Sequence, residues 1–223
     1  QNWTYGSVVS DDAYTGSEFT GIFSLADIER WEVHSTNNYP ADKWKLCINM
    51  GVDRANKTLH VINKALEAGS IDAAIANKYR AEVRFLRGLF NFEAWLVFGD
   101  YIPILTENTA DPAQIFNENP EGVVLDHIIS DLQFAWENLP AIQEQVGRAT
   151  KYAAMTLAAR AYLQELKYAE AKPLLDDVIN SGQYKLMPHF IDNFNIETNN
   201  NAESIFEIQA NVNDINESLN AEM

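Results

Sequence analysis

Hydrophobic positions recur at three- and four-residue steps over most of the chain from Asp42 to Ser181, and that spacing predicts helices. Trp44, Cys47, Ile48, Val52, Ala55, Leu59, Ile62 and Leu66 form a first stripe, closed by Gly69-Ser70. A second stripe covers 71–97, with Ala74, Tyr79, Val83, Leu86, Phe90, Ala94 and Val97 near one face. Gly88 lies inside it, a position open to close approach of a neighbouring helix. Two such helices with a short connection predict an antiparallel hairpin. After a loop at 99–119, a third helix is predicted over 121–138, stopping at Leu139-Pro140. A fourth and a fifth follow over 149–166 and 168–181.

The last two helices have the spacing of a tetratricopeptide unit. Met155, Ala158, Ala159, Tyr162, Ala171 and Leu175 fall on the consensus positions, and Tyr168 opens the second helix. Small residues at Ala159 and Ala171 let the helices approach, while Tyr162 and Leu175 fill the groove between them. One such repeat cannot bury its faces alone, so the earlier hairpin is its expected partner. The predicted fold class is therefore all-α: tetratricopeptide-like helical hairpins over 43–182, with little β structure.

Two flanks depart from this pattern. Residues 1–42 lack helical periodicity, carry turn-formers such as Asn37-Asn38-Tyr39-Pro40, and are rich in aromatics, including Trp3, Tyr5, Tyr14, Phe19, Phe23, Trp31 and Tyr39. So dense a set of aromatics argues for an ordered irregular loop and not for disorder. The tail at 183–223 is Asn-rich, and Ser204-Ile205-Phe206-Glu207-Ile208 alternates like a short strand.

Composition narrows the function. The 223 residues form one region large enough to bury a core, with 47% hydrophobic and 22% charged residues. A net charge of −16 disfavours nucleic acid and anionic membranes as partners, and is compatible with neutral sugars. No apolar run reaches the roughly 20 residues needed to span a bilayer. Cys47 is the sole cysteine, so no internal disulfide can form; its neighbours Leu46, Ile48 and Met50 predict a buried structural thiol.

Most catalytic chemistries find no support. The four histidines are scattered and no H-E-x-x-H occurs, so no metal is expected. The run Asp192-Asn193-Phe194-Asn195-Ile196-Glu197 fails as a calcium loop, because Phe194 holds the third position and the sixth is not Gly; a capped Asn-rich turn fits it better. There is no phosphate-binding glycine loop and no G-x-S-x-G elbow, so no cofactor is implied. Glycoside hydrolysis needs two carboxylates across a cleft. Asp176-Asp177 read as a solvated helix face, and Asp11-Asp12 as a turn or cap.

The aromatic loop is the strongest candidate site. Sugar rings present C–H faces that stack on aromatic rings, and their hydroxyls bond to planar amides, carboxylates and guanidinium groups. The stretch from Arg30 to Tyr39 supplies all of these, and Trp31, Asn37, Asn38, Tyr39 and Arg30 are the expected glycan-binding residues.

Seven short segments, in order, resemble the SusD/RagB family of surface nutrient-binding lipoproteins. They are Ser10-Asp11-Asp12; Asp53-Arg54-Ala55-Asn56; Ala81-Glu82-Val83-Arg84-Phe85-Leu86-Arg87; Gly99-Asp100 before Pro103; Ile128-Ile129-Ser130-Asp131-Leu132 with Leu139-Pro140; Gly147-Arg148-Ala149-Thr150-Lys151; and Glu203-Ser204-Ile205-Phe206-Glu207-Ile208. The third resembles A-E-x-R-F-L-R, the fourth G-D-x-P with one residue more, and the last E-x-I-F-E-I.

The resemblance implies non-catalytic binding of oligosaccharide or polysaccharide at the outer-membrane surface. It implies delivery to a TonB-dependent SusC-like transporter, with the helical scaffold facing the transporter. It also implies that family members are about twice this length, that Met223 is a truncation before a missing C-terminal half, and that a lipid anchor precedes Gln1. Two other readings stay open. One is a tetratricopeptide adaptor for peptides, for which 16 Lys+Arg against 32 Asp+Glu suits only a basic ligand. The other is a helical glycosidase, which needs a carboxylate pair facing a cleft.

Overall fold

The computed structural model describes residues 3–10, 12–16, 23–111 and 115–209, with Phe23 as backbone alone. Asp11, Phe19, Pro112 and the tail after Gln209 lie outside the described residues. Among those described there is no strand, and the fold is all-α. Its α-helices are α1 (Phe23–Glu29), α2 (Asn38–Trp44), α3 (Asp53–Glu67), α4 (Ala73–Phe98), α5 (Val123–Asn138), α6 (Lys151–Gln164) and α7 (Tyr168–Asn180).

The first predicted stripe is one unbroken helical run that starts earlier than expected. Asn37 caps α2, its side-chain oxygen accepting the Tyr39 amide at 3.0 Å. Pro40 sits in the first turn, where a missing N–H costs nothing. Between α2 and α3 the run winds as a π-helical stretch, Lys45–Val52. Gly51 lies there against the ring of Phe90 on α4; a Cβ at that position would stand 2.3 Å from the ring. The supposedly irregular 1–42 segment is thus partly helical, since it also holds a π-helical turn at Trp3–Val8 and the short α1.

From α3 onward each helix packs on its sequence neighbours, so that α3, α4, α5, α6 and α7 stack as successive hairpins. Side-chain caps start two of them: Asp72 accepts from Ile75 at the head of α4, and Thr150 from Ala153 at the head of α6. Gly88 permits the α4–α5 approach, because a Cβ there would meet Leu132 at 3.0 Å. Ala159 and Ala171 are both buried, the small-residue approach expected between α6 and α7. The core runs through Phe85 and Phe92 of α4, Leu125, Ile128 and Leu132 of α5, and Ala154 and Ala158 of α6. No helix among the described residues is long and apolar enough to cross a membrane.

Several of the short segments singled out in the sequence meet in a buried polar network. Arg87, 3% exposed, donates from Nε and Nη2 to the two oxygens of Asp131, each at 2.7 Å. Its Nη1 reaches Asn56 on α3 and Glu107 in the loop after α4, also at 2.7 Å. Arg84 adds a 2.7 Å bond to Asp131. Burial works against the Asp131 charge, but the bonds and charge of Arg87 outweigh it and hold its carboxyl below the usual range. A second pair, Glu82 and Arg148, ties α4 to the loop before α6.

The segment 204–208 forms no ladder among the described residues, in contrast to the expected strand. Adjacent side chains of a ladder strand point to opposite faces, whereas adjacent Ile205 and Phe206 both turn to the core. Phe206 meets Phe85 edge to face at 5.0 Å. Glu203 fixes the approach, accepting from the Met187 amide at 2.9 Å and from Asn193 at 3.0 Å. Asp192 and Glu197 fall in two short 3-10 turns, and no group of three His, Cys, Asp or Glu among the described residues could hold a metal ion.

Candidate functional site

The loop between α1 and α2 carries the candidate residues, and both of its ends are fixed by local chemistry. At the first end, α1 closes with two nested bonds, from Glu32 N to Asp27 O at 2.8 Å and from Trp31 N to Ile28 O at 3.1 Å. This closure needs a residue in the left-handed region, a place usually taken by glycine. Here Trp31 holds it, at φ 59°. The residue is nonetheless 72% exposed.

Arg30 sits beside Trp31 with its guanidinium occupied, bonding Asp27 and Glu32 at 3.0 Å each. The preceding segment is tied down as well. The backbone amide and hydroxyl of Thr15 both donate to Glu29, holding that carboxyl below its ordinary range.

At the other end, Asn37 is only 4% exposed. Its Nδ2 donates to the Ser24 carbonyl at 2.6 Å while its oxygen caps α2, so it binds α1 to α2 with both polar atoms used. Asn38 is exposed, and Tyr39 is half-buried in the first turn of α2.

A cavity of about 330 Å³ lies against this loop. Trp44 and Phe98, packed edge to face at 5.2 Å, give it an aromatic side, and His34 and Ser35 a polar one. Of the five predicted residues Asn37 alone lines the cavity; Arg30 and Trp31 cluster at the end of α1, and Asn38 and Tyr39 at the start of α2. Trp44 reads in sequence as a helix-face residue and Phe98 follows the last position of the second stripe, and nothing there marks either as a cavity wall. His34 and Ser35 belong to the stretch from Arg30 to Tyr39.

Nearby, burial raises the Cys47 thiol to about 11, with Lys43 opposing and Glu93 adding to the shift. That fits the structural thiol read from sequence. Burial likewise pushes the Tyr5 hydroxyl up to about 12, helped by Asp42.

Comparison with known proteins decides the family. A family described as starch-binding and associating with the outer membrane, SusD-like, matches residues 2–163. The chain belongs to the SusD-like family. A SusD-like protein of Bacteroides ovatus is 29% identical over 174 residues, 71% of this chain and 31% of that protein. Among solved structures, a SusD-like protein from Bacteroides fragilis superposes with a TM-score of 0.79 at 23% identity, over 96% of this chain and 42% of its own. The surface glycan-binding protein A of Bacteroides thetaiotaomicron, solved in complex with laminarihexaose, gives 0.72 at 24%, over 92% of this chain and 43% of its own. This SusD-like chain therefore spans about a third of the curated relative and under half of these solved structures.

Proposed function

We propose that this SusD-like chain is part of a non-catalytic surface protein that binds oligosaccharide or polysaccharide and hands it to a TonB-dependent, SusC-like transporter. It acts at the extracellular face of the outer membrane, held there by a lipid anchor. The observation that carries the reading is Trp31. A left-handed conformation costs a non-glycine residue about 1–2 kcal/mol, and exposing a tryptophan forgoes its burial. A ring kept on the surface at that double cost is poised to stack on a ligand, and the loop that follows it, with the first turn of α2, offers His34, Ser35, Asn38 and Tyr39 to sugar hydroxyls.

The relative solved with laminarihexaose supports a glycan as that ligand. A glycosidase reading has less behind it: Asp176 is paired with Lys172 on α7, and Asp12 accepts from Ser10. The test is retention of the complete protein on a polysaccharide panel with product analysis. Retention without released sugar supports capture, and turnover of any polysaccharide contradicts it.

A further inference from the structure

A second cleft, of about 260 Å³, opens between the 141–150 loop, the turn after α7 and the segment 200–207. It shares no lining residue with the cavity beside Trp44. Two charged residues reach it, and both are engaged. Arg148 is held by Glu82, with Nε at 3.2 Å, and Glu207 accepts the Asn200 amide at 2.9 and 3.1 Å. Arg148 is offset by the Glu82 carboxylate, while Glu207, bonded to a backbone N–H, keeps its charge and leaves the cleft mildly acidic.

The remaining polar groups are amides and hydroxyls, which both donate and accept. The Gln183 side-chain amide and the Tyr184 and Ser204 hydroxyls line the cleft with no hydrogen-bond partner among the described residues. Val146, Ile205 and Phe206 add apolar surface to the lining.

We infer that this cleft is a second binding site, for one uncharged, hydroxyl-rich ring such as a hexose residue. The offset arginine and the Glu207 carboxylate disfavour a phosphate, the carboxylate accepts sugar hydroxyls, and amides and hydroxyls beside apolar lining match the hydroxyl rim and C–H face of a pyranose. The volume falls below the roughly 300–1,000 Å³ of sites for drug-sized ligands, so the cleft takes one ring and not a chain. The ligand class is read from the cleft itself and rests on the proposed function only for the choice of probes.

The test is a residue-resolved NMR titration of the complete protein with D-glucose, D-mannose and D-galactose, and with D-glucuronate and D-glucosamine as charged controls. The amides of Gly147 and Ser204 report the cleft, and the Trp31 indole N–H reports the loop. The expected result is a saturable shift of the cleft amides with a neutral sugar. Tyr184→Phe/Ser204→Ala should weaken it about tenfold, for the two lost hydrogen bonds together, without changing the Trp31 response.

Shifts at Trp31 alone would overturn the cleft and leave the loop reading intact. Shifts at the cleft alone would support the cleft and count against the loop. Silence at both, stronger binding of a charged control, or an unchanged cleft affinity in the double variant would each overturn the assignment.

Discussion

Arg87 and Asp131 form a buried two-pronged ion pair across α4 and α5, with both N–H···O distances at 2.7 Å. Each lies in a segment that carries the SusD-like resemblance, and the contact gives that resemblance a physical meaning. The Arg of one motif neutralises the Asp of the other, and Asn56 of a third takes up an Arg87 N–H that would otherwise be buried unpaired. These motifs build the scaffold on which the loop is mounted.

Breaking the pair from one side strands a charge in the core. Asp131→Asn or Arg87→Met should each lower unfolding stability by about 3–5 kcal/mol, measured by denaturant titration. Arg87→Met/Asp131→Leu should lose less than either single change, because the volume stays filled and neither member of the pair is left charged without the other. Arg84 and Glu107 temper that gain, since both retain charges facing the same site.

His127 makes stability depend on pH near neutrality. Burial lowers its pKa below 6.5, reinforced by Arg87 and Arg84 and opposed by Asp131 and Glu107. Its Nε2 has no partner among the described residues. The unfolded chain therefore binds a proton that the folded chain resists. The contribution is fully present above about pH 6.5 and is lost as pH falls towards the folded pKa, by about 1.4 kcal/mol per pH unit. Stability of the wild type should fall between pH 7 and 5, and His127→Gln should flatten that slope. An equal slope in both proteins would contradict the assignment.

Gly51 is fixed by the ring of Phe90. Gly51→Ala should cost about 1–3 kcal/mol through overpacking, and Phe90→Leu in the same chain should recover part of the loss. Thermal unfolding of the four proteins in that cycle measures the coupling.

Trp31 predicts opposite effects on stability and function. Trp31→Gly places at φ 59° the residue that conformation favours, so it should stabilise the fold by about 1 kcal/mol. The same change removes the exposed ring and should abolish polysaccharide retention. A destabilised variant would show that Trp31 pins the loop and is not held out for a ligand.

Helix periodicity made the stack legible, with the ends of α4 to α7 within about two residues of those expected, the usual disagreement at helix ends, while the first run starts at Asn38, ahead of the expected Asp42. What was missed follows from local chemistry with two readings. Asn37-Asn38-Tyr39-Pro40 has turn composition, and the same residues make a helix cap and first turn in which Pro40 is tolerated. Ser204 to Ile208 alternates as a strand would, but no neighbouring strand offers a ladder among the described residues, and Phe85 offers Phe206 a packing site instead.

At the site, the aromatic character of Trp31 was visible, but its left-handed backbone was not. No glycine marks the end of α1, and the conformation follows from two carbonyls that only the folded helix positions. The tie from Asn37 to α1 likewise depends on a partner, Ser24, thirteen residues away.

The central claim is tested most directly by calorimetry of the complete protein with laminarihexaose, and with whichever polysaccharide a retention panel selects, using the wild type and Trp31→Ala/Tyr39→Ala. Saturable binding without product release in the wild type, lost in the double variant while thermal unfolding shows it folded, is the predicted result. Equal binding by both proteins, or none by either, would contradict a glycan site in the loop between α1 and α2.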